Sequence, residues 1–242
     1  MGADRESLDS GNGHGRSRPD AAWRAHVPDH VIALLRDHPD RTPITGGEPT
    51  DAVVLVADVS GFTPMSEVLA RSGHHGIEEL GGILNAWFDA MNERIRAYGG
   101  SLAEFAGDAL IAVFDGGAPT RPTAARRAVQ CALDMQAGMA RFQPVPTRAG
   151  PFHLTMKVGL AAGPLLQTVM GDPAVRVGPV LLGPALQRAV VAEHRARGNE
   201  VIAADELVEP CDGLVERDRR GWLVRGLRRA IAGWRNGASR VL

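Results

Sequence analysis

The chain has 242 residues, 27 Lys and Arg against 28 Asp and Glu, a formal net charge of −1 and a hydrophobic share of 44%. That length suits one domain with extensions, and the apolar content is enough for an ordinary core. Near-neutral charge removes any global argument for nucleic acid or an anionic membrane as partner, and no apolar run approaches the ~18 residues of an integral membrane span.

Residues 1–20 are polar and Gly-rich, lack the apolar run of a signal peptide and read as a disordered tail. Residues 21–50 carry a helical stretch punctuated by Pro28, then a loop dense in Pro, Gly and Thr. The run AVVLVA over 52–57 is short, apolar and β-branched, which predicts a buried strand closing at Asp58. Thr63 followed by Pro64 predicts a helix start, the hydroxyl as N-cap and the proline in the first turn. A long helix is predicted over 77–98, with Ile77, Leu80, Ile83, Leu84, Trp87 and Met91 on one face and Gly99-Gly100 as its stop. Strands over 101–105 and 109–114 flank a tight tip at Ala106-Gly107-Asp108. A helix over 122–141 is followed by a strand over 154–162 that ends at Gly163, a further segment over 165–170, and a turn at Gly171-Asp172-Pro173. A β-rich stretch, a helix over 185–197, a strand over 201–203 and closing strands over 222–226 and 230–235, the second also readable as a helix, complete the order.

The order βαββαβ predicts an α+β, ferredoxin-like core: one sheet with helices on one face, and extra C-terminal strands. The implied division is a tail over 1–20, a helix and loop over 21–50, the main domain over 51–227 and a second tail over 228–242. Cys131 and Cys211 lack a metal-type spacing and read as reduced thiols of a cytoplasmic protein, a single disulfide staying open. His74-His75 reads as an exposed loop pair rather than a metal site. The basic stretch from Gly221 reads as the last sheet segment with a solvated face rather than a membrane-surface helix.

Asp58 closes a buried strand and Asp108 sits on a hairpin tip. In a βαββ sheet that strand and that hairpin are neighbours, so both carboxylates reach one point at the rim. Two hard oxygen ligands, sharing the ion with water and substrate phosphates, are how Mg2+ is usually held. Two ions there would polarise a phosphate and activate a hydroxyl. Asp58, Val59 and Asp108 form the candidate metal set, for Mg2+ or Mn2+. The backbone N–H groups that follow make Ser60, Gly61, Phe62 and Thr63 the candidate triphosphate cradle. Either Asp alone reads as a helix cap or a turn residue; the pair in this topology reads as a site.

Three blocks, VVLVADVSGFTPMSEVLA, GGSLAEFAGDALIAVF and MKVGLAAGPLLQTVMGD, resemble the signature blocks of class III adenylyl and guanylyl cyclases. AAWRAHVPDHVIALL and LAEFAGDALIAVF are most similar to the first catalytic half of the bicarbonate-responsive soluble adenylyl cyclases. The resemblance spans about residues 21–227. It implies that Asp58 and Asp108 hold two metal ions and that ATP, or GTP, is the substrate. It also implies a homo- or heterodimer with a second class III cyclase domain, with sites at the interface. The implied reaction is attack of the ribose 3′-hydroxyl on the α-phosphate, giving a cyclic nucleotide, cAMP ahead of cGMP, and pyrophosphate.

The departures from the family pattern carry equal information. Glu104 stands where the family places its adenine-reading Lys. Val180 stands where guanylyl cyclases have Cys and adenylyl cyclases Asp or Thr. In the GxxxNxxxR pattern Gly183 matches, but Gln187 replaces the Asn and Val191 the Arg. Arg188 and Arg195, about one turn either side of Val191, offer a substitute charge or simply a solvated face. These degenerate positions imply a half that supplies the metals and relies on a complementary domain for base reading and charge stabilisation. The alternative is an inactive cyclase-like module that dimerises with a true cyclase and regulates it. A bicarbonate response is not implied, because the places the relatives use for it hold Glu104 and Val191.

Overall fold

The computed structural model describes residues 49–116, 121–172, 176–211, 215–218 and 220–224. The expected tail over 1–20, nearly all of the 21–50 segment and the expected strand over 230–235 lie outside the described residues.

Strand β1 (Thr50–Ser60) is an interior strand of the sheet. It is followed by helices α1 (Phe62–Ala70) and α2 (His74–Ala97), the hairpin β2 (Ser101–Ala106) and β3 (Ala109–Asp115), helix α3 (Arg121–Gly138) and the long strand β4 (Thr155–Asp172). Then come β5 (Arg176–Leu182), helix α4 (Pro184–Arg195), β6 (Val201–Ala203), β7 (Val215–Asp218) and β8 (Gly221–Val224). The sheet order is β2-β3-β1-β4-β6-β8-β7, with β5 paired to the far half of β4. Its first four strands are antiparallel and in the expected ferredoxin-like order, while β6 joins β4 in parallel.

Alternation along β1 divides the core in two. Val53, Leu55, Ala57 and Val59 join the layer under α1, α2 and α3, with Trp87, Met91, Ile95 and Phe114. Ala52, Val54 and Val56 join the opposite layer, with Ala161, Leu165, Ala185 and Ala189. The expectation of helices on one face is therefore corrected: α4 covers the other face. The reason is a stripe of Ala185, Ala189 and Glu193 at helical spacing, all buried, against the sheet. Gly159 allows this packing, since a Cβ there would lie 2.1 Å from the Ala189 carbonyl oxygen and 2.2 Å from the Glu193 nitrogen.

Other expectations shift at their ends. β1 runs on to Ser60 because β4 keeps pairing with it as far as Thr155, so Asp58 sits inside the strand rather than closing it. Thr63 is not the N-cap of α1; that place is Gly61, at φ 94°, and Thr63 lies in the first turn. α2 begins at His74, and Ile77 is 56% exposed, so its apolar face starts only at Leu80. Gly99 does stop α2, at φ 70°, with the Gly100 N–H donating to the Ile95 carbonyl. Gly163 bends β4 at φ 140° without ending it. Both cysteines are buried free thiols, and burial raises both, Cys211 to about 11. Among the described residues no helix is long and apolar enough to cross a membrane.

Candidate active site

Register brings the two predicted carboxylates together. Asp58 on β1 pairs with Ala109 on β3, the residue next to Asp108 in the turn Gly107-Asp108. Residues directly opposite in an antiparallel pair lie about 5 Å apart at Cα, so Asp58 and the tip share one corner of the sheet. Gly107 adopts φ 69°, which a side chain would resist, and this lets the hairpin close in two residues. Asp58 and Asp108 are both part-exposed.

The opposite neighbour of Asp58, across β4, is Lys157. Its Nζ lies 3.1 Å from Asp58 Oδ2 and 2.6 Å from Glu193 Oε1. Lys157 and Asp58 keep side-chain exposures of 23% and 24%, while Glu193 has 5%. A carboxylate this buried needs a cationic partner, and Lys157 supplies one. Burial pulls the Lys157 ammonium down, but its bonds to Glu193 and Asp58 outweigh that and hold it above its ordinary range.

Sequence reasoning missed Lys157 and Glu193. The signals were present: Lys157 is a lone charge in the apolar run MKVGLAAG, and Glu193 falls on the i, i+4 stripe begun by Ala185 and Ala189.

The predicted triphosphate cradle leads from this corner into α1. Val59 points its side chain into the helical layer, 2% exposed, so only its backbone faces the corner. Gly61 turns the chain into α1, where a Cβ would come within 2.7 Å of the His153 carbonyl oxygen. The N–H groups that open a helix have no acceptor within it, so the first turn of α1 presents donors beside Ser60 and Asp58. Hard oxygen donors from two carboxylates and the backbone, with room for phosphate oxygens, suit Mg2+ or Mn2+. No group of three or more His, Cys, Asp or Glu side chains poised for a metal occurs among the described residues.

The degenerate positions lie elsewhere. Glu104 is exposed on edge strand β2. A bulge between Leu102 and Glu104 turns it onto the face that Asp58 shares, opposite Ile111. Val180 sits on β5 opposite Thr168. Gln187 and Val191, one turn apart on α4, line a cavity of about 270 Å³ with Ala192, Ile202 and Gly221. Arg188 offers no free clamp, because it bonds Glu206 Oε1 at 2.8 Å and the Ala162 carbonyl at 2.6 Å. Arg195 reaches the Arg220 carbonyl at 3.5 Å.

The family described as the adenylate and guanylate cyclase catalytic domain matches residues 47–210. The chain belongs to that family. This cyclase domain is 29% identical over 198 residues to adenylate cyclase type 10 of Rattus norvegicus, covering 81% of the chain and 12% of that protein. To adenylate cyclase 1 of Rhizobium meliloti it is 24% identical over 215 residues, covering 88% and 27%. The cyclase domain therefore spans about an eighth of the length of the type 10 relatives. Among solved structures, the adenylyl cyclase CyaB of P. aeruginosa superposes with a TM-score of 0.60 at 21% identity, covering 75% of this chain and 97% of that one. The guanylyl cyclase Cya2 gives 0.60 at 24%, covering 76% and 95%. At these identities the structural likeness speaks for the fold.

Proposed function

We propose that this domain is the metal-binding half of a nucleotide cyclase site built between two cyclase domains. The observation that carries the reading is the β1–β3 register, which sets Asp58 beside the Gly107-Asp108 tip. In this reading Asp58 and Asp108, with the Val59 backbone, hold two divalent ions of the kind class III cyclase domains use. Bound there, such ions supply polarisation of the α-phosphate and activation of the ribose 3′-hydroxyl.

The chain's own residues do the rest of the positioning. The open N–H groups at residues 60–63 receive phosphate oxygens at the start of α1. Lys157 stands beside Asp58, its ammonium shared with Glu193. The 3′-oxygen forms a bond to the α-phosphorus, the bond to the β-phosphate oxygen breaks, and the hydroxyl proton leaves, giving cyclic nucleotide and pyrophosphate. ATP is preferred to GTP, because the curated relatives are adenylate cyclases and Glu104 lacks the partnering Cys at Val180.

The same geometry supports dependence on a second domain. A charged clamp on a transferring phosphoryl group is commonly worth about 10²–10⁵ in rate. Here Gln187 and Val191 occupy the clamp positions, and Arg188 is engaged within the chain. A complementary domain bearing Lys, Asn and Arg would supply what is missing. The regulatory-module reading is favoured by Glu104, Gln187 and Val191.

The deciding experiment is a cyclase assay with Mn2+ and ATP or GTP, on the chain alone and mixed with such a domain. Activity confined to the mixture, and lost in Asp58→Ala and Asp108→Ala, supports the catalytic reading. A mixture whose output ignores both substitutions leaves the regulatory module.

A further inference from the structure

Lys157 is shared between two carboxylates of unequal kind. Asp58 stands at the open rim, whereas Glu193 is 4% exposed on the sheet-facing stripe of α4 and held there by the close approach at Gly159. The shorter contact is to the buried partner, 2.6 Å against 3.1 Å. The other oxygen of Glu193 faces the exposed His194 imidazole at 3.5 Å.

A divalent ion that settles on Asp58 must displace an ammonium already in contact with it. Were Asp58 the sole partner of Lys157, that exchange would strand a three-quarters buried cation, which is costly. With Glu193 in place the ammonium stays paired, and Asp58 is released. We propose that Glu193 is the positioning residue that makes Asp58 available to a divalent cation, by keeping Lys157 balanced and held back once the metal takes its rim-side partner. The inference rests on the reading of Asp58 as a metal ligand. It adds that the site's metal affinity is set from α4, by a residue that touches neither metal nor nucleotide.

The test is Mn2+ binding by the full chain without nucleotide, counted as free Mn2+ by electron paramagnetic resonance. Loss of a supporting partner behind a metal ligand typically costs 10–100-fold in affinity. Glu193→Gln is expected to weaken binding about tenfold, and Glu193→Asp, which keeps the charge, to stay within about threefold of the parent. Lys157→Gln removes the competing cation and is expected to bind Mn2+ more tightly. In the Lys157→Gln background the Glu193→Gln change is expected to have no effect, because the residue acts through Lys157.

A Glu193→Gln chain that binds as the parent does, or one whose defect persists at full size without Lys157, overturns the proposal. Should Glu193→Gln fail to fold by near-ultraviolet circular dichroism, the lysine variant decides: unchanged or weaker Mn2+ binding by Lys157→Gln overturns it. Asp58→Asn separates the two readings. If that change leaves Mn2+ affinity untouched, the metal assignment itself fails and the role of Glu193 falls with it. If Asp58→Asn abolishes binding while Glu193→Gln is silent, only the role of Glu193 fails.

Discussion

Two regions of the face covered by α4 differ in how far they are finished. At the β1 corner, Asp58, Lys157 and Glu193 form a continuous chain of ion pairs, and the hairpin tip adds Asp108. On the outer side of the same helix, Gln187 and Val191 open onto a cavity also lined by Arg188, which is tied to Glu206, and Arg195, which reaches the Arg220 carbonyl. Val191 is 42% exposed, an apolar side chain where the family pattern has a guanidinium. A charge network is retained only where every member is satisfied. Under the proposed function, the contrast separates a corner that would hold cations and phosphate from a side that would depend on a partner domain to read the base and stabilise the transferring group.

The largest expected effect falls on the finished corner. Asp58→Ala or Asp108→Ala should lower the activity of a complemented mixture by about 10²-fold or more, read as cyclic nucleotide formed per minute. Equal activity in parent and variant would break the comparison at its stronger end. Repair of the unfinished side comes next. Gln187→Asn with Val191→Arg should raise the activity of the chain alone about tenfold, short of a full clamp's worth because Glu104 still stands at the base-reading place. No gain would mean that α4 does not face a partner's metal corner.

Gly159→Ala probes the joint between the two regions. Its Cβ would meet two backbone atoms of α4, so destabilisation of about 3 kcal/mol is expected, a fall in melting temperature of roughly 10 °C. The smallest effect concerns Glu200, which accepts a 3.0 Å bond from Arg220 behind the unfinished side. Chiefly that bond to Arg220 lowers the Glu200 carboxyl below its ordinary 4.5. A lowered carboxyl stabilises the fold above its unfolded value, and this is lost as pH falls through the folded one. Glu200→Gln should therefore be less stable than the parent near pH 7 by under about 1 kcal/mol, the two curves converging as pH falls below the ordinary 4.5. Urea denaturation at several pH values checks this.

Much of the fold was legible because the local signals are strong. The apolar run at 52–57, the Gly99-Gly100 stop and the Gly107-Asp108 tip each dictate their backbone with little help from distant residues. The pairing of Asp58 with the tip followed from the order of elements alone. What escaped depends on register and packing. Lys157 becomes relevant only because β4 pairs antiparallel with β1 in one particular alignment. Glu104 reaches the Asp58 face only because Ala103 is an extra residue in β2, and nothing in SLAEFA announces a bulge. The side of the sheet taken by α4 is fixed by close approach at Gly159, a single glycine among many. Strand β7, VERD, is too short and too polar for periodicity to reveal it.

The two-layer alternation of β1 and β4 has a consequence for tolerance to length changes. Val53, Leu55 and Ala57 face one way, and Val54, Val56 and Asp58 the other. Inserting or deleting one residue within either strand would swap these sets. Asp58 would then be thrust under α1, α2 and α3, or Lys157 would trade places with Met156. Parity thus ties the chemistry to the core: the corner cannot slide by one position while the protein still folds. Shortening or lengthening is accommodated outside β1 and β4 rather than within them.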